Sequence, residues 1–481
     1  MSSSLVVAFA LHFLLASAAV FLIRFGKTYL KCAKRLPPGS MGLIPWIGET
    51  MEFYKAQRGN RLFEGFVQPR ITKHGSVFKT SLMGSPTVVV SGAEANRFFL
   101  ANEFKLVVSS WPSSSVELMG RESIMEMRGR RHQHIRGAIA KCLGVSGLDG
   151  LVLKMCETVS AHLDAEWRGR AEVSLYMSAK SLTFRIVFEC LLGIRVEAGM
   201  LRIFERVLEG AFALPLRLPG STFWKAKVAR AELERMLIGI VRKRKAEMEE
   251  AEDATEGEGE GILLTKLVSE LTAGSMSEQE VIDNVVLLVF AAHDTTSFAI
   301  AMTFKMLALH PSCHNLVLQE HKEILRSNGG GDLTMKDIAK MSYTWQVAQE
   351  TMRLFPPIFG SFRRALRDIE FRGFTIPKGW KVLWTTYDTH FDGAHFQNPL
   401  EFDPGRFKEP KTLQPYVYLP FGGGPRVCAG YQLAKLNILI FVHYAVTQYD
   451  WSLVDANEAV IVDPLPFPAR GMPVNISPKI L

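Results

Sequence analysis

The residues best suited to chemistry lie near the end of the chain, in Pro420-Phe421-Gly422-Gly423-Gly424-Pro425-Arg426-Val427-Cys428-Ala429-Gly430. Its glycines let the backbone turn in ways other residues resist, and the run delivers a single cysteine. Directly after Gly430, Tyr431 to Phe441 is rich in helix-forming apolar residues, so Cys428 is predicted at a helix start. Free backbone N–H groups and the helix dipole there favour an anion, which predicts a stabilised thiolate whose sulfur is available to a metal. No second cysteine or histidine is close in sequence, which argues against zinc and its four protein ligands. What fits is a metal whose other positions are filled from outside the protein, as a porphyrin fills those of haem iron. A structural cysteine in a glycine-rich turn is the competing reading.

A second concentration lies upstream. Val281 to Ile300 is apolar on nearly all sides, the pattern of a buried central helix, and its polar interruption is Asp294-Thr295-Thr296. An acid followed by hydroxyl residues competes for backbone hydrogen bonds, which predicts a local opening or bend able to hold water. His132 and Arg136 are four apart in a basic segment, so one helix face carries two donors; a solvated surface is the plain alternative. Glu350 and Arg353, three apart on another helical segment, can pair with each other and with a third group.

Phe421-x-x-Gly424-x-Arg426-x-Cys428-x-Gly430 resembles the haem-thiolate signature of the cytochrome P-450 superfamily. The resemblance implies that Cys428 ligates the iron of haem b (iron protoporphyrin IX), that Arg426 meets a propionate and that Phe421 packs beside the sulfur. Ala291-x-x-Asp294-Thr295-Thr296 resembles the oxygen-activation motif of that family, with Thr295 in the hydroxyl role and Asp294 in the proton relay. Ala292 stands where the family usually has glycine, and His132 where it often has tryptophan. The resemblance further makes His132, Arg136 and Arg363 propionate contacts, and Glu350, Arg353 and Arg406 a buried brace of the proximal side. It implies a substrate pocket lined by Trp111, Phe290, Ala291, Ile358, Phe359 and Phe467.

The elements expected to position these groups make a mainly α protein with small β-sheets, the cytochrome P-450 fold with an N-terminal transmembrane helix. Leu5 to Ile23 is almost wholly apolar and spans about 29 Å as a helix, enough to cross a bilayer. Arg24, Lys27, Lys31, Lys34 and Arg35 follow it, which places the rest on the cytosolic side. We divide the chain into a membrane anchor (1–30), a basic, proline-rich hinge (31–48) and a haem-thiolate catalytic domain (49–481). Val77 to Leu82 and Thr87 to Val90 read as a β-hairpin, while Phe371 to Phe374 and Lys381 to Trp384 frame a turn at Ile376 to Trp380 and read as a small sheet. Ala226 to Glu250 reads as a long amphipathic helix running into an acidic stretch that ends at Gly261. Leu201 to Leu218, by resemblance, is the lid over substrate entry.

The chain has 481 residues without internal repeats, so one large fold is expected, and its 48% hydrophobic content can build both a core and an apolar cavity. A formal charge of +8 suits an anionic membrane or an acidic protein partner, whereas scattered basic residues argue against nucleic acid. Six widely separated cysteines fit a reducing, cytosol-facing compartment. The resemblance implies an endoplasmic reticulum membrane protein of single-pass topology and a monooxygenase that takes NADPH electrons through an NADPH-cytochrome reductase. Leu36-Pro37-Pro38-Gly39-Ser40 and Ala292-His293-Asp294-Thr295-Thr296 resemble plant microsomal enzymes that oxidise terpenoid or steroid skeletons, such as triterpenoid oxidases and taxane hydroxylases. A hydrophobic terpenoid substrate follows. Two rivals are a haem-thiolate isomerase or dehydratase acting on hydroperoxides, against which Asp294 and Thr295 count, and a non-catalytic haem-binding protein.

Overall fold

A computed structural model describes residues 35–42, 47–250, 262–409 and 413–479, and the described chain divides into two compact units. The expected anchor, residues 31–34 and 43–46 of the hinge, and the acidic stretch from 251 to 261 lie outside the described residues. One unit contains the chain up to Ser110 with Gly360–Thr389 and residues 415–417; the other contains Trp111–Phe359, His390–Gln414 and the chain from Tyr418 onward.

The first unit is built on strands Val77–Leu82 (β1), Ser85–Val90 (β2), Val107–Ser109 (β3), Gly360–Ala365 (β4), Ile369–Phe371 (β5), Phe374–Ile376 (β6) and Lys381–Thr385 (β7). Five of them form a sheet of order β1-β2-β7-β4-β3, in which only β2 and β7 run parallel. The expected hairpin closes through Met83 (φ 50°) and Gly84 (φ 70°), a two-residue turn whose positive φ angles match strand twist. Val88, Val89 and Val90 are all fully buried, which explains their unbroken apolar run. The described part of the hinge lies along β1, where the Lys79 N–H donates to the Pro38 carbonyl at 2.7 Å.

The small sheet expected around Ile376 to Trp380 is organised differently. β5 and β6 pair with each other through a tight turn at Arg372 (φ 47°) and Gly373 (φ 78°), and β7 joins the five-stranded sheet instead. Two consecutive residues in the left-handed region satisfy the local pairing of β6, so the edges of β7 are left for β2 and β4.

The second unit is mostly helical. Its site is positioned by Ser113–Met119 (α1), Gly129–Leu143 (α2), Leu175–Arg185 (α3), Met200–Ala211 (α4), Thr222–Glu250 (α5), Glu278–Leu309 (α6), Pro311–Ser327 (α7), Ser342–Leu354 (α8) and Tyr431–Gln448 (α9). α6 opens with a capping box, Ser277 with Glu280, and packs against α3, α8 and α9. It alone among the described helices has the length and composition to cross a bilayer, yet most of its side chains from Val281 to Leu307 are buried within this unit. Phe304 of α6 and Phe441 of α9 are fully buried with ring centroids 5.3 Å apart, and Trp167 meets Phe441 edge-on at 5.8 Å. Each such ring contributes about 1.5–3 kcal/mol through burial, which fixes α9 against α6.

The expected opening of α6 at its polar cluster does not occur. The helix runs unbroken through Asp294, Thr295 and Thr296 because the hydroxyls bond back along it, Thr295 to the Ala291 carbonyl at 2.8 Å and Ser297 to that of His293 at 2.6 Å. The five described cysteines, at 142, 156, 190, 313 and 428, are free thiols.

Candidate active site

The cysteine loop is shaped by its own backbone. Gly422 (φ 69°) and Gly424 (φ 68°) occupy the left-handed region, Cys428 N–H donates to the Phe421 carbonyl at 2.9 Å, and Gly430 caps α9. The Phe421 ring meets Tyr431 edge-on with centroids 4.8 Å apart. Cys428 keeps an accessible surface, but the protein mass around its sulfur raises the thiol pKa above its ordinary value, against the pull of the Gly430 N–H and the Arg136 guanidinium. This corrects the expectation of a thiolate stabilised by the helix start. Desolvation outweighs the Gly430 N–H and Arg136 together, and a cation bound at the sulfur would favour the thiolate.

The Arg136 guanidinium acts on that sulfur, and the Arg426 guanidinium stands near enough to Arg136 for their charges to repel. Arg136 of α2 donates to the Val427 carbonyl at 2.5 Å, and Arg426 donates to the carbonyls of Ile124 and Met127 at 3.1 and 2.8 Å. Burial lowers the Arg136 pKa, the Cys428 sulfur opposes that fall, and the charge of Arg426 adds to it. Two like charges held near each other suit an anionic ligand. His132 is buried one turn earlier on α2. Among the described residues no group of three or more His, Cys, Asp or Glu could hold a metal. A metal at Cys428 therefore brings its remaining ligands with it, and iron in a porphyrin with propionates fits this donor set.

Glu350 and Arg353 of α8 are fully buried and joined by two bonds of 2.7 and 2.8 Å, and Arg406 reaches the same carboxylate at 3.2 Å. His390, which the sequence reading missed, ties this group to the cysteine loop. Its Nε2 accepts from the Leu419 N–H at 2.9 Å, so its Nδ1 carries the proton and donates to the Arg353 carbonyl at 3.1 Å. Burial holds the His390 pKa down at about 3, consistent with that neutral ring.

On α6, Leu287, Leu288, Phe290, Ala291, Ala292 and Thr295 remain accessible while the residues around them are buried, so one face of an otherwise core helix stays open. Asp294 points elsewhere. Its Oδ1 lies 3.2 Å from Lys180 of α3 and 3.3 Å from His293 Nδ1, and Lys180 also reaches Glu205 of α4 at 3.0 Å. Burial pushes the Asp294 carboxyl up, but His293 and Lys180 together bring it below its ordinary range, and Tyr176 also hydrogen-bonds to it. Asp294 and Thr295 thus interact with different groups, Asp294 with Lys180 and His293 and Thr295 with the Ala291 carbonyl. Lys180, Glu205 and Tyr176 were not foreseen; a lone lysine in the largely apolar α3 was the available signal.

The chain matches the cytochrome P-450 family over residues 37–472. It belongs to that family. Among its relatives are a taxane 13-alpha-hydroxylase of Taxus cuspidata, 37% identical over 95% of this chain and 94% of the relative, and a beta-amyrin 28-monooxygenase of Panax ginseng, 37% identical over 92% of each. A taxoid 14-beta-hydroxylase of Taxus cuspidata is 39% identical over 98% of this chain and 94% of its own length. Among solved structures, the retinoic-acid-bound cyanobacterial CYP120A1 aligns with a TM-score of 0.82 and 31% identity, covering 92% of this chain and 100% of that one. The chain is therefore a cytochrome P-450 monooxygenase with a haem-thiolate centre, served by electrons from a redox partner.

Within this cytochrome P-450, the second unit contains Cys428, Arg426, Phe421, His132, Arg136, Asp294 and Thr295. It also contains the expected pocket residues: Trp111 and Ile358 are exposed, Phe290 and Phe359 are half-buried, Ala291 lies on the accessible stripe, and Phe467 sits in a short strand paired with Ile461. Arg363 belongs to the first unit, where its guanidinium lies 2.9 Å from Glu103 and donates to Ser361 at 2.7 Å.

Proposed function

We propose that this cytochrome P-450 hydroxylates a di- or triterpenoid, or steroid-like, skeleton. The observation that carries the reading is end-to-end similarity to relatives named as taxane hydroxylases and as a beta-amyrin monooxygenase. An accessible apolar stripe on α6 beside Thr295 supports it, because such a face can take a rigid hydrocarbon and exclude water from it. Haem b, when bound, supplies oxygen activation, drawing NADPH electrons through an NADPH-cytochrome reductase.

The chain's own residues divide the remaining work. Cys428 would hold the iron, and Arg426, Arg136 and His132 would hold the propionates. Phe421 shields the sulfur from water. Thr295 holds a proton at Oγ1 on the accessible stripe, and Asp294, kept ionised by Lys180, exchanges protons behind it. Glu350, Arg353 and Arg406 brace the loop. We assign residues 1–30 to a single-pass anchor in the endoplasmic reticulum membrane, residues 31–48 to the hinge and 49–481 to the catalytic domain facing the cytosol.

The test is reconstitution with reductase and NADPH against taxanes, beta-amyrin and protopanaxadiol, with phenolics and fatty acids alongside. A terpenoid product carrying one added oxygen is expected. Oxidation of phenolics or fatty acids alone would overturn the assignment.

A further inference from the structure

His293 lies in the core of the second unit with one ring nitrogen engaged and the other not. The residue is only 2% exposed, and its backbone is fixed from two helices. Its carbonyl accepts from Ser297 Oγ at 2.6 Å, and Thr183 of α3 meets that carbonyl and that hydroxyl at 3.4 and 2.9 Å. The Phe184 ring of α3 stands edge-on to the imidazole, with centroids 5.8 Å apart. Nδ1 lies 3.3 Å from Asp294 Oδ1. An ionised carboxylate only accepts hydrogen bonds, so Nδ1 carries a proton, and in the neutral ring Nε2 is left as a bare acceptor. That nitrogen is buried and has no hydrogen-bond partner among the described residues. A buried polar atom without a partner is a cost that an apolar side chain beside Phe184 would avoid, so the imidazole needs a reason to be there.

Asp294 supplies the reason. Its other two donors, Lys180 and Tyr176, both belong to α3, and Lys180 is shared with Glu205 of α4 at 3.0 Å. Burial opposes the charge on Lys180, but Asp294 and Glu205 raise its pKa, and burial with the same carboxylates raises that of Tyr176, so both groups keep their protons. His293 is carried by α6 itself. Its contact with Asp294 therefore does not depend on how α3 and α4 pack. Burial pushes the Asp294 carboxyl up, and His293 opposes that rise more strongly than Lys180 does. A carboxyl that passes protons on must both release and regain one near the working pH, and burial unopposed would hold it protonated.

We propose that His293 is a positioning residue for proton transfer, its Nδ1–H fixing the Asp294 carboxylate on the α3 side of α6 in the pose from which the proton path is served. The path rests on the proposed roles of Asp294 and Thr295; the contact between His293 and Asp294 does not.

The haem-loaded full chain is titrated by infrared difference spectroscopy, with the carboxylic-acid band of Asp294 identified by its loss in D294N. In H293F, which fills the space beside Phe184 but donates nothing, the midpoint of that band should rise by about one pH unit. H293N keeps a donor at the place of Nδ1 and should hold the midpoint near that of the parent. With reductase, NADPH and whichever of taxanes, beta-amyrin or protopanaxadiol the parent oxidises, H293F should lower product formed per NADPH about threefold, the slowing expected when half of a one-unit pKa rise is felt in proton release. H293N should restore it. H293A should move both readings in the direction of H293F, which keeps the test decisive if the larger ring is not accommodated. An unmoved midpoint in H293F, a shifted midpoint with unchanged product per NADPH, or a loss in H293N as large as in H293F would overturn the proposal. Should the parent chain oxidise no terpenoid, the hydroxylase reading fails while the infrared midpoints still decide the contact.

Discussion

Replacing Glu350 by Gln removes one charge and almost no volume from a place without solvent. Glu350 Oε2 accepts from Arg353 Nε at 2.7 Å, and Oε1 accepts from Arg353 Nη2, the Asp403 N–H and Arg406 Nε at 2.8, 3.0 and 3.2 Å. All of these donors need acceptors, and an amide offers one acceptor and one donor. Whichever way it turns, a guanidinium N–H faces another N–H. Losing a bond to a charged group costs about 1.5–3 kcal/mol. Arg353 also keeps a buried charge without its counter-charge, so the whole effect comes to about 3–5 kcal/mol. That is a large part of the roughly 5–15 kcal/mol that holds a typical protein folded. The disturbance should reach the cysteine loop, because Arg353 donates to the His390 carbonyl at 2.8 Å, His390 accepts the Leu419 N–H at 2.9 Å, and the Leu419 carbonyl accepts the Gly422 N–H at 3.0 Å. The assay is urea unfolding of haem-loaded E350Q, followed both by far-ultraviolet circular dichroism and by the thiolate absorbance band of the reduced, carbon-monoxide-treated protein. A midpoint lower by about 1 M or more is expected, with the thiolate band lost ahead of the helical signal. R406A should cost less, since it leaves the two bonds of 2.7 and 2.8 Å in place. A midpoint for E350Q indistinguishable from that of the parent would refute the buried-charge reasoning.

Acidification should destabilise the fold. Burial pushes His162, His390 and His443 down to about 4, 3 and 4, whereas an unfolded imidazole titrates near about 6.5. Between those limits the unfolded chain binds more protons, so stability is full above pH ~6.5 and falls by up to about 1.4 kcal/mol per pH unit for each ring; equal urea midpoints at neutral and acidic pH would contradict this. T295V keeps shape but removes the hydroxyl on the accessible stripe, so substrate binding should hold while product formed per NADPH consumed falls at least about tenfold; unchanged coupling would remove Thr295 from the proton path. G120A places a Cβ against the Asp283 carboxylate at a backbone φ of 99°, and should lower the melting temperature through a strain of about 1–3 kcal/mol together with loss of the Arg230–Asp283 pair. An unaltered melt would mean that the seam around Gly120 is looser than its geometry.

What could be read from the sequence was chemistry carried by residues close together along the chain. The cysteine loop is of this kind, since glycines at 422 and 424, the cap at Gly430 and the sulfur at 428 all lie within one turn-and-helix unit. The Glu350–Arg353 pair is another, needing only helical spacing. Arg406 could be joined to that pair only through the family pattern, and His390 had no local signal because its partners at Arg353 and Leu419 are supplied by folding. Readings that weighed opposing local effects went wrong where surroundings decide the sign. The hydroxyl cluster did not open α6, because the carbonyls of Ala291 and His293 were within reach. At Cys428 desolvation outweighs the Gly430 N–H and the Arg136 charge, so the thiol pKa is raised. Asp294 shows the division most clearly: a carboxylate in a buried apolar helix must find a cation or give up its charge. That requirement is a property of α6 alone, whereas the choice of Lys180, itself shared with Glu205, belongs to the packing of α3 and α4.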